Sequence, residues 1–132
     1  MSTVLDKFLR YVKIDTQSDE TTGTSPSTVG QHDLAALLYG ELTALGAVNV
    51  RYDRDHCYVY AEIPATDPAV KETIGFIAHM DTSPEVSGKN VNPKIVSYKG
   101  GDIPLSELIQ AMEGSGDAHT AYVEEIGCVI IA

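Results

Sequence analysis

The sequence predicts an α/β fold in which helices cover a layered sheet. Three observations predict it: two stretches with apolar residues at helical spacing, a stretch of alternating β-branched and aromatic residues, and a nearly continuous apolar run, TIGFIAHM, typical of a strand covered on both faces. With 132 residues, 43% of them hydrophobic, the chain is long enough for a core of its own. We therefore expect residues 1–132 to form a single domain.

Both predicted helices lie in the first third of the chain. Ser2 or Thr3 can cap a first helix whose apolar stripe covers residues 4–12. A polar loop rich in Ser, Thr, Gly and Pro follows, and a second helix with a leucine stripe is predicted over residues 31–45. Gly46 stands where a left-handed residue ends a helix.

The strands are predicted from alternation and from apolar runs. NVRYD (49–53) and CYVYAEIP (57–64) have the pattern of a hairpin with one buried face. We expect TIGFIAHM (73–80) to pair with CYVYAEIP in one sheet, with the two helices packed against it. Further along, residues 102–113 favour a short helix and residues 127–132 favour a last strand.

Composition excludes several classes of partner. The formal net charge is −10, and binding to a phosphate backbone needs clustered Lys and Arg, so we expect no nucleic-acid partner. No apolar run approaches membrane-spanning length, and charges interrupt the N-terminal stretch, so we expect neither a membrane partner nor a signal peptide. Cys57 and Cys128 lack zinc-type spacing and suit a reducing compartment. A soluble, cytoplasmic protein is expected.

The candidate site is the tripeptide His-Met-Asp at the end of the apolar run. In a strand, residues two apart project to the same face, so His79 and Asp81 are expected to lie together. Imidazole is the commonest metal ligand, and a carboxylate often holds its second nitrogen. His-x-Asp also arises by chance, and a histidine at a strand end can simply bond a carbonyl group. His32 is expected on the surface and His56 in a solvated turn.

A longer stretch around this tripeptide carries a family resemblance. The segments FLRYVKIDTQS, SPSTVGQHDLAALLYGELTALGAVNV and IGFIAHMDTSPEVSGKNVNPKIVSYKGGDIPL occur in collinear order. They resemble the peptidase T family, the tripeptide aminopeptidases of the zinc-dependent exopeptidase superfamily. The resemblance covers about residues 5–105 and corresponds to the N-terminal part of the catalytic domain. The pair HMDTSP and SGKNVNP is its most specific part.

The resemblance implies a two-zinc peptidase. By the family pattern, His79 is a ligand to one of two zinc ions and Asp81 is the catalytic acid that orients its imidazole. A bridging carboxylate and a water molecule between the ions complete such a site, with a Glu as general base. The substrate implied is a short peptide, cut after its first residue.

The chain departs from the family pattern after Leu105. The pattern continues with a bridging Asp, a Glu pair, a further acidic ligand and a distant His, whereas 27 residues follow here. Asp117, His119, Glu124 and Glu125 lie in this tail, and their spacing favours loop and turn positions over the family's ligands.

We therefore expect an incomplete catalytic domain with at most a partial zinc site. The alternative is a non-catalytic α/β domain of the same family that binds metal weakly. In either case an apolar edge or face should be exposed and should favour self-association.

Overall fold

The structure is a computed structural model, and it describes residues 3–97, 120–121 and 128–131. It divides into two compact units, Met1–Asp15 with Glu85–Ala132, and Thr16–Pro84. Each unit is described by itself below. The expectation of a single domain over residues 1–132 stays a prediction.

The first unit begins with helix α1, Val4–Tyr11. Thr3 caps it as predicted: the Thr3 hydroxyl accepts the Asp6 N–H at 3.1 Å, and Asp6 Oδ2 accepts the Thr3 N–H at 2.8 Å. This reciprocal pair satisfies two backbone donors that a helix start otherwise leaves open. The Thr3 N–H is also the main reason why the pKa of Asp6 lies below its usual value.

The same unit contains a three-stranded antiparallel sheet. Its strands are β3 (Lys94–Ser97), β4 (Thr120–Ala121) and β5 (Cys128–Ile131), and β5 lies in the middle. β5 confirms the strand predicted for residues 127–132. The helix predicted over residues 102–113 lies outside the described residues.

In the second unit, helix α2 spans Gly30–Ala44, one residue from the predicted bounds at each end. It ends as the sequence predicts, because Gly46 takes the left-handed conformation at φ 83°. The Gly46 N–H donates to Thr43 O at 3.1 Å and the Ala47 N–H donates to Leu42 O at 3.2 Å. These two bonds form a Schellman motif, which pairs carbonyl groups that the last turn leaves open.

The predicted hairpin is confirmed next to this helix. β1 (Val48–Asp53) and β2 (Tyr58–Glu62) are antiparallel neighbours, and β1 carries one extra residue between Val48 and Arg51. Asn49 takes a left-handed φ of 50° inside this bulge, and its side-chain amide donates to Glu62 Oε2 at 2.8 Å. The bulge is thus tied to the facing strand.

Helix α2 packs on this hairpin and forms the buried part of the unit. Leu34 and Ala35 of α2 are buried, and so is Cys57 in the hairpin loop. Burial raises the pKa of the Cys57 thiol, which also bonds the Tyr52 side chain. The packing of α2 therefore agrees with the prediction from its leucine stripe, whereas the packing of α1 on the same sheet stays a prediction.

The prediction for residues 73–80 is wrong in this structure. The run TIGFIAHM forms no strand and no helix, and it does not pair with β2. Phe76 is 93% exposed and Ile77 is fully exposed at 100%. A central strand needs a neighbour on each edge and cover on each face. Within the described residues this segment has neither, so its local preference for extended backbone does not yield a strand.

Among the described residues, no helix is both long enough and apolar enough to span a membrane.

Candidate metal site

The backbone around the His-Met-Asp tripeptide is fixed from one side by the loop after residue 15. Thr82, next to Asp81, forms a parallel bridge with Gln17. The Thr82 N–H donates to Thr16 O at 3.1 Å, and the Ser18 N–H donates to Thr82 O at 3.0 Å. These bonds hold the residues after the site although the segment before it is unpaired.

Side chains strengthen this attachment. The Ser18 hydroxyl donates to Thr82 O at 2.9 Å, and the Gln17 amide donates to Pro84 O at 2.8 Å. Thr16 is buried, so its carbonyl group is a protected acceptor for the bridge. Thr82 and Pro84 are therefore both bonded to the same short stretch of chain, Thr16 to Ser18.

The supporting loop is in turn joined to helix α2. The Thr28 hydroxyl donates to Gln17 O at 2.7 Å, which connects the end of the loop to its beginning. The Ser27 hydroxyl accepts the Asp19 N–H at 3.0 Å and the Gln31 side-chain amide at 3.1 Å. Because Gln31 is a buried residue in the first turn of α2, the site is positioned from the helix through the loop.

His79 and Asp81 lie together, with their side chains in hydrogen-bonding distance. His79 Nδ1 is 2.8 Å from the Asp81 carbonyl oxygen and 3.2 Å from Asp81 Oδ1. The side chains are 85% and 45% exposed, respectively. The backbone contact is the carbonyl bond that the sequence left open as the alternative, and the carboxylate contact is the one expected of a metal-site histidine.

This geometry fixes which ring nitrogen carries the hydrogen. Both oxygens near Nδ1 are acceptors, so Nδ1 donates and the neutral ring keeps its lone pair on Nε2. Nε2 is then the nitrogen that can bind a metal ion. The carboxylate that accepts the Nδ1–H makes Nε2 more basic and therefore a stronger metal ligand. The chemistry of this pair fits one zinc ligand with its supporting acid.

A closed metal site needs more ligands than this pair supplies. Across residues 3–97, 120–121 and 128–131, no group of three or more His, Cys, Asp and Glu side chains is placed to hold a metal ion. Asp117, His119, Glu124 and Glu125 lie outside the described residues. The partial zinc site therefore stays a prediction, as do the roles of His79 and Asp81.

The two other described histidines have partners of their own. His56 Nδ1 lies 3.0 Å from Asp53 Oδ2 in the hairpin turn, where the ring is exposed as expected. This contact is the main reason why the pKa of Asp53 lies below its usual value. His32 is half-buried and bonds the Tyr52 hydroxyl through Nδ1, so its expected surface position is only partly correct.

Sequence reasoning missed Thr16, Gln17 and Ser18 as the support of the site. The bonded partners Ser18 and Thr82 are 64 residues apart, and no local pattern predicts such a pairing. The one available signal is that both stretches, KIDTQS and HMDTSP, are among those that carry the family resemblance. Their joint occurrence is what a shared structural role would require.

Comparison with known proteins extends this picture. The chain is 56% identical over 103 residues to peptidase T of Parabacteroides distasonis, 51% identical over 105 residues to that of Geobacillus thermodenitrificans, and 52% identical over 106 residues to that of Clostridium perfringens. The matches cover 78%, 79% and 80% of this chain, but only 25%, 25% and 26% of the relatives.

No protein-family model matches the chain. The chain spans about a quarter of the length of the curated relatives it matches. Over about four-fifths of its own length, this chain is similar to a segment of peptidase T.

Proposed function

We propose that this chain is part of a peptidase T-type metallo-aminopeptidase that releases the N-terminal residue from tripeptides, and that it supplies one zinc ligand, His79. The contact between His79 Nδ1 and the Asp81 carboxylate at 3.2 Å carries this proposal, because it leaves the Nε2 lone pair available to a metal ion. The 47–56% identity to proteins named peptidase T supports the choice of reaction.

Each residue of the pair has a separate task. His79 presents the Nε2 lone pair, and Asp81 holds the Nδ1–H and adds negative charge beside the metal position. Zinc ions, when bound, would supply an activated water molecule and polarise the scissile carbonyl group. The bonds from Thr16 and Ser18 to Thr82 fix the backbone just after the pair, so they limit how far Asp81 can move.

The fold proposed for this segment is the layered catalytic domain of the zinc exopeptidases. Helix α2 and the antiparallel hairpin β1–β2 on which it packs support this proposal, because both are elements of an α/β arrangement. A cytoplasmic location is part of the same proposal, since the chain's two cysteines suit a reducing compartment.

A second candidate is a non-catalytic domain of the same family. It is favoured by the described residues, which contain no group of three ligands. A catalytic zinc site has at least three protein ligands and a water molecule. Under this candidate the chain binds zinc weakly through His79 and does not cleave peptides.

Zinc titration by calorimetry tests both candidates. With one imidazole ligand, we expect weak binding by this chain, with a Kd on the order of 1 mM. His79→Ala should abolish it, whereas His56→Ala, the matched control in the hairpin turn, should leave it unchanged. Binding that survives His79→Ala would contradict the assignment.

A tripeptide hydrolysis assay on the same samples tests the non-catalytic candidate. We expect no cleavage by this chain alone. Tight binding of two zinc ions together with cleavage would mean that Asp117, His119, Glu124 or Glu125 completes the site, and it would exclude the non-catalytic candidate.

A further inference from the structure

Residues 73–78 are the most exposed apolar stretch of the second unit. Ile74, Phe76 and Ile77 are all exposed, and in the described chain no backbone hydrogen bond involves residues 73–78. β-branched and aromatic residues favour extended backbone. An extended apolar segment with open N–H and C=O groups is a template for pairing with another strand.

We propose that this segment pairs with the same segment of a second copy of the chain, antiparallel, with Phe76 opposite Phe76. The inference is independent of the proposed zinc chemistry. The pairing would form a two-stranded ribbon across a two-fold axis, so the same surface serves both copies and the contact closes at a dimer.

The charges that flank the segment select the antiparallel direction. Lys71 and Glu72 precede it, and Asp81 follows it. In an in-register parallel pair, each of these residues would lie opposite the same residue of the other copy. Like charges directly opposite each other are unfavourable. In the antiparallel pair centred on Phe76, Lys71 of each copy lies opposite Asp81 of the other. The ribbon therefore has an ion pair at each end.

The same charges select the register. If the two-fold axis passes between residues 75 and 76 instead of through Phe76, Asp81 lies opposite Val70 and both ion pairs are lost. If the axis passes between residues 76 and 77, Asp81 lies opposite Glu72, which creates a like-charge contact at each end. Of these three registers, only the one centred on Phe76 pairs opposite charges, and it also gathers Ile74, Phe76 and Ala78 of both copies on one face.

Both ends of the proposed ion pair are accessible. The Lys71 ammonium group donates to Pro68 O at 2.8 Å in the exposed part of the chain, and this bond can be exchanged for a carboxylate partner. The Asp81 side chain is 45% exposed, and its Oδ1 contact with His79 leaves the second carboxylate oxygen to face the other copy. Pairing would thus order the strand without breaking the His79–Asp81 contact.

Sedimentation velocity over a concentration series tests the proposal on this chain. We expect a reversible monomer–dimer equilibrium. Phe76→Lys should weaken dimerisation at least tenfold, because it places two positive charges directly opposite each other. Ile63→Lys, at another exposed apolar position outside the segment, is the matched control and should not change the dimer Kd. Circular dichroism of both variants should match that of the original chain.

Charge reversal tests the register. Lys71→Glu should weaken the dimer several-fold, and the double variant Lys71→Glu with Asp81→Lys should restore it. The readout is mass alone, since the double variant removes the carboxylate from His79. A monomer at all concentrations, an open-ended series of larger species, or a dimer that Phe76→Lys leaves intact would overturn the proposal. Failure of the double variant to restore the dimer would overturn the register.

Discussion

Two regions of the second unit differ in how their conformation is maintained. The helix–hairpin region, residues 30–62, makes its own hydrogen bonds and buries Leu34 and Ala35. The site segment, residues 71–84, has exposed apolar side chains, and its bonds to the loop after residue 15 lie after Asp81, at Thr82 and Pro84.

The first region is held by interactions between residues close in sequence, and the second by interactions between residues far apart. Caps, turns and alternation within 33 consecutive residues are enough for the first region. The second depends on residues about 65 positions earlier in the chain, such as Gln17 and its partner Thr82. The candidate chemistry lies in the region with less local support, which is where loops and segment ends commonly carry function.

Amide hydrogen exchange should reveal the largest contrast between the two regions. At concentrations where the chain is monomeric, amides in the middle of α2 should exchange on the order of a thousandfold more slowly than those of residues 74–78, which have no hydrogen-bond partner in the described chain. Mass spectrometry of peptides from each region measures this ratio. Equal protection of both regions would contradict the comparison.

Truncation of one apolar side chain in each region sharpens the contrast energetically. Leu34→Ala removes a buried side chain and should lower the free energy of unfolding by about 2–5 kcal/mol. At concentrations where the chain is monomeric, Phe76→Ala removes an exposed ring and should change this free energy by less than about 0.5 kcal/mol. Urea unfolding followed by far-ultraviolet circular dichroism measures both values. A loss of several kcal/mol for Phe76→Ala would show that the ring is covered in solution.

Two glycines provide a smaller, matched test. Gly46→Ala forces a side chain into a left-handed conformation at φ 83° and should cost about 1 kcal/mol of unfolding free energy. Gly75 has open space around it and no positive φ, so Gly75→Ala should have almost no effect. Urea unfolding of the two variants in parallel gives the difference. A larger cost at Gly75 than at Gly46 would reverse the comparison.

The smallest expected effect is a pH dependence in the hairpin turn. The His56 side chain and the N–H groups of His56 and Asp55 hold the pKa of Asp53 below its usual value. A lowered folded-state pKa stabilises the fold above about pH 4, and this contribution disappears as pH falls through the folded pKa.

Asp53→Asn keeps an oxygen acceptor for the turn but removes the charge. It should therefore be slightly less stable than the original chain at pH 5 and equally stable near pH 2, since these values lie above and below the usual pKa of an aspartate, about 3.9. Thermal unfolding at the two pH values measures the difference, with Asp55→Asn as the control in the same turn. A difference that grows toward low pH would contradict the sign of the pKa shift.

Most of the fold could be predicted wherever the determining interactions are local. Thr3 caps α1, Gly46 ends α2, and the alternating stretches form the hairpin, because each feature depends on residues within a few positions of one another. Residues 73–80 could not be predicted correctly from their own sequence. Their apolar pattern indicates a covered strand. Whether they form one depends on neighbouring strands and helices that other parts of the chain must provide.

The candidate site was predictable in part for the same reason. His79 and Asp81 are two residues apart, and their contact follows from short-range geometry. The roles of Thr16 and Ser18 could not be predicted, since their bonds to Thr82 join stretches that no periodicity connects. The sequence therefore indicated the His79 imidazole and the Asp81 carboxylate, but not the backbone of residues 16–18 that holds the neighbouring Thr82.

The central claim is that His79 presents Nε2 to a metal ion while Asp81 holds Nδ1–H. Long-range proton–nitrogen correlation spectra of the histidine rings, recorded at neutral pH during a zinc titration, test it most directly. The account predicts that neutral His79 carries its hydrogen on Nδ1 and that zinc shifts His79 Nε2 before any signal of His32 or His56. A His79 ring with its hydrogen on Nε2, or zinc shifts that begin at His32 or His56, would contradict it.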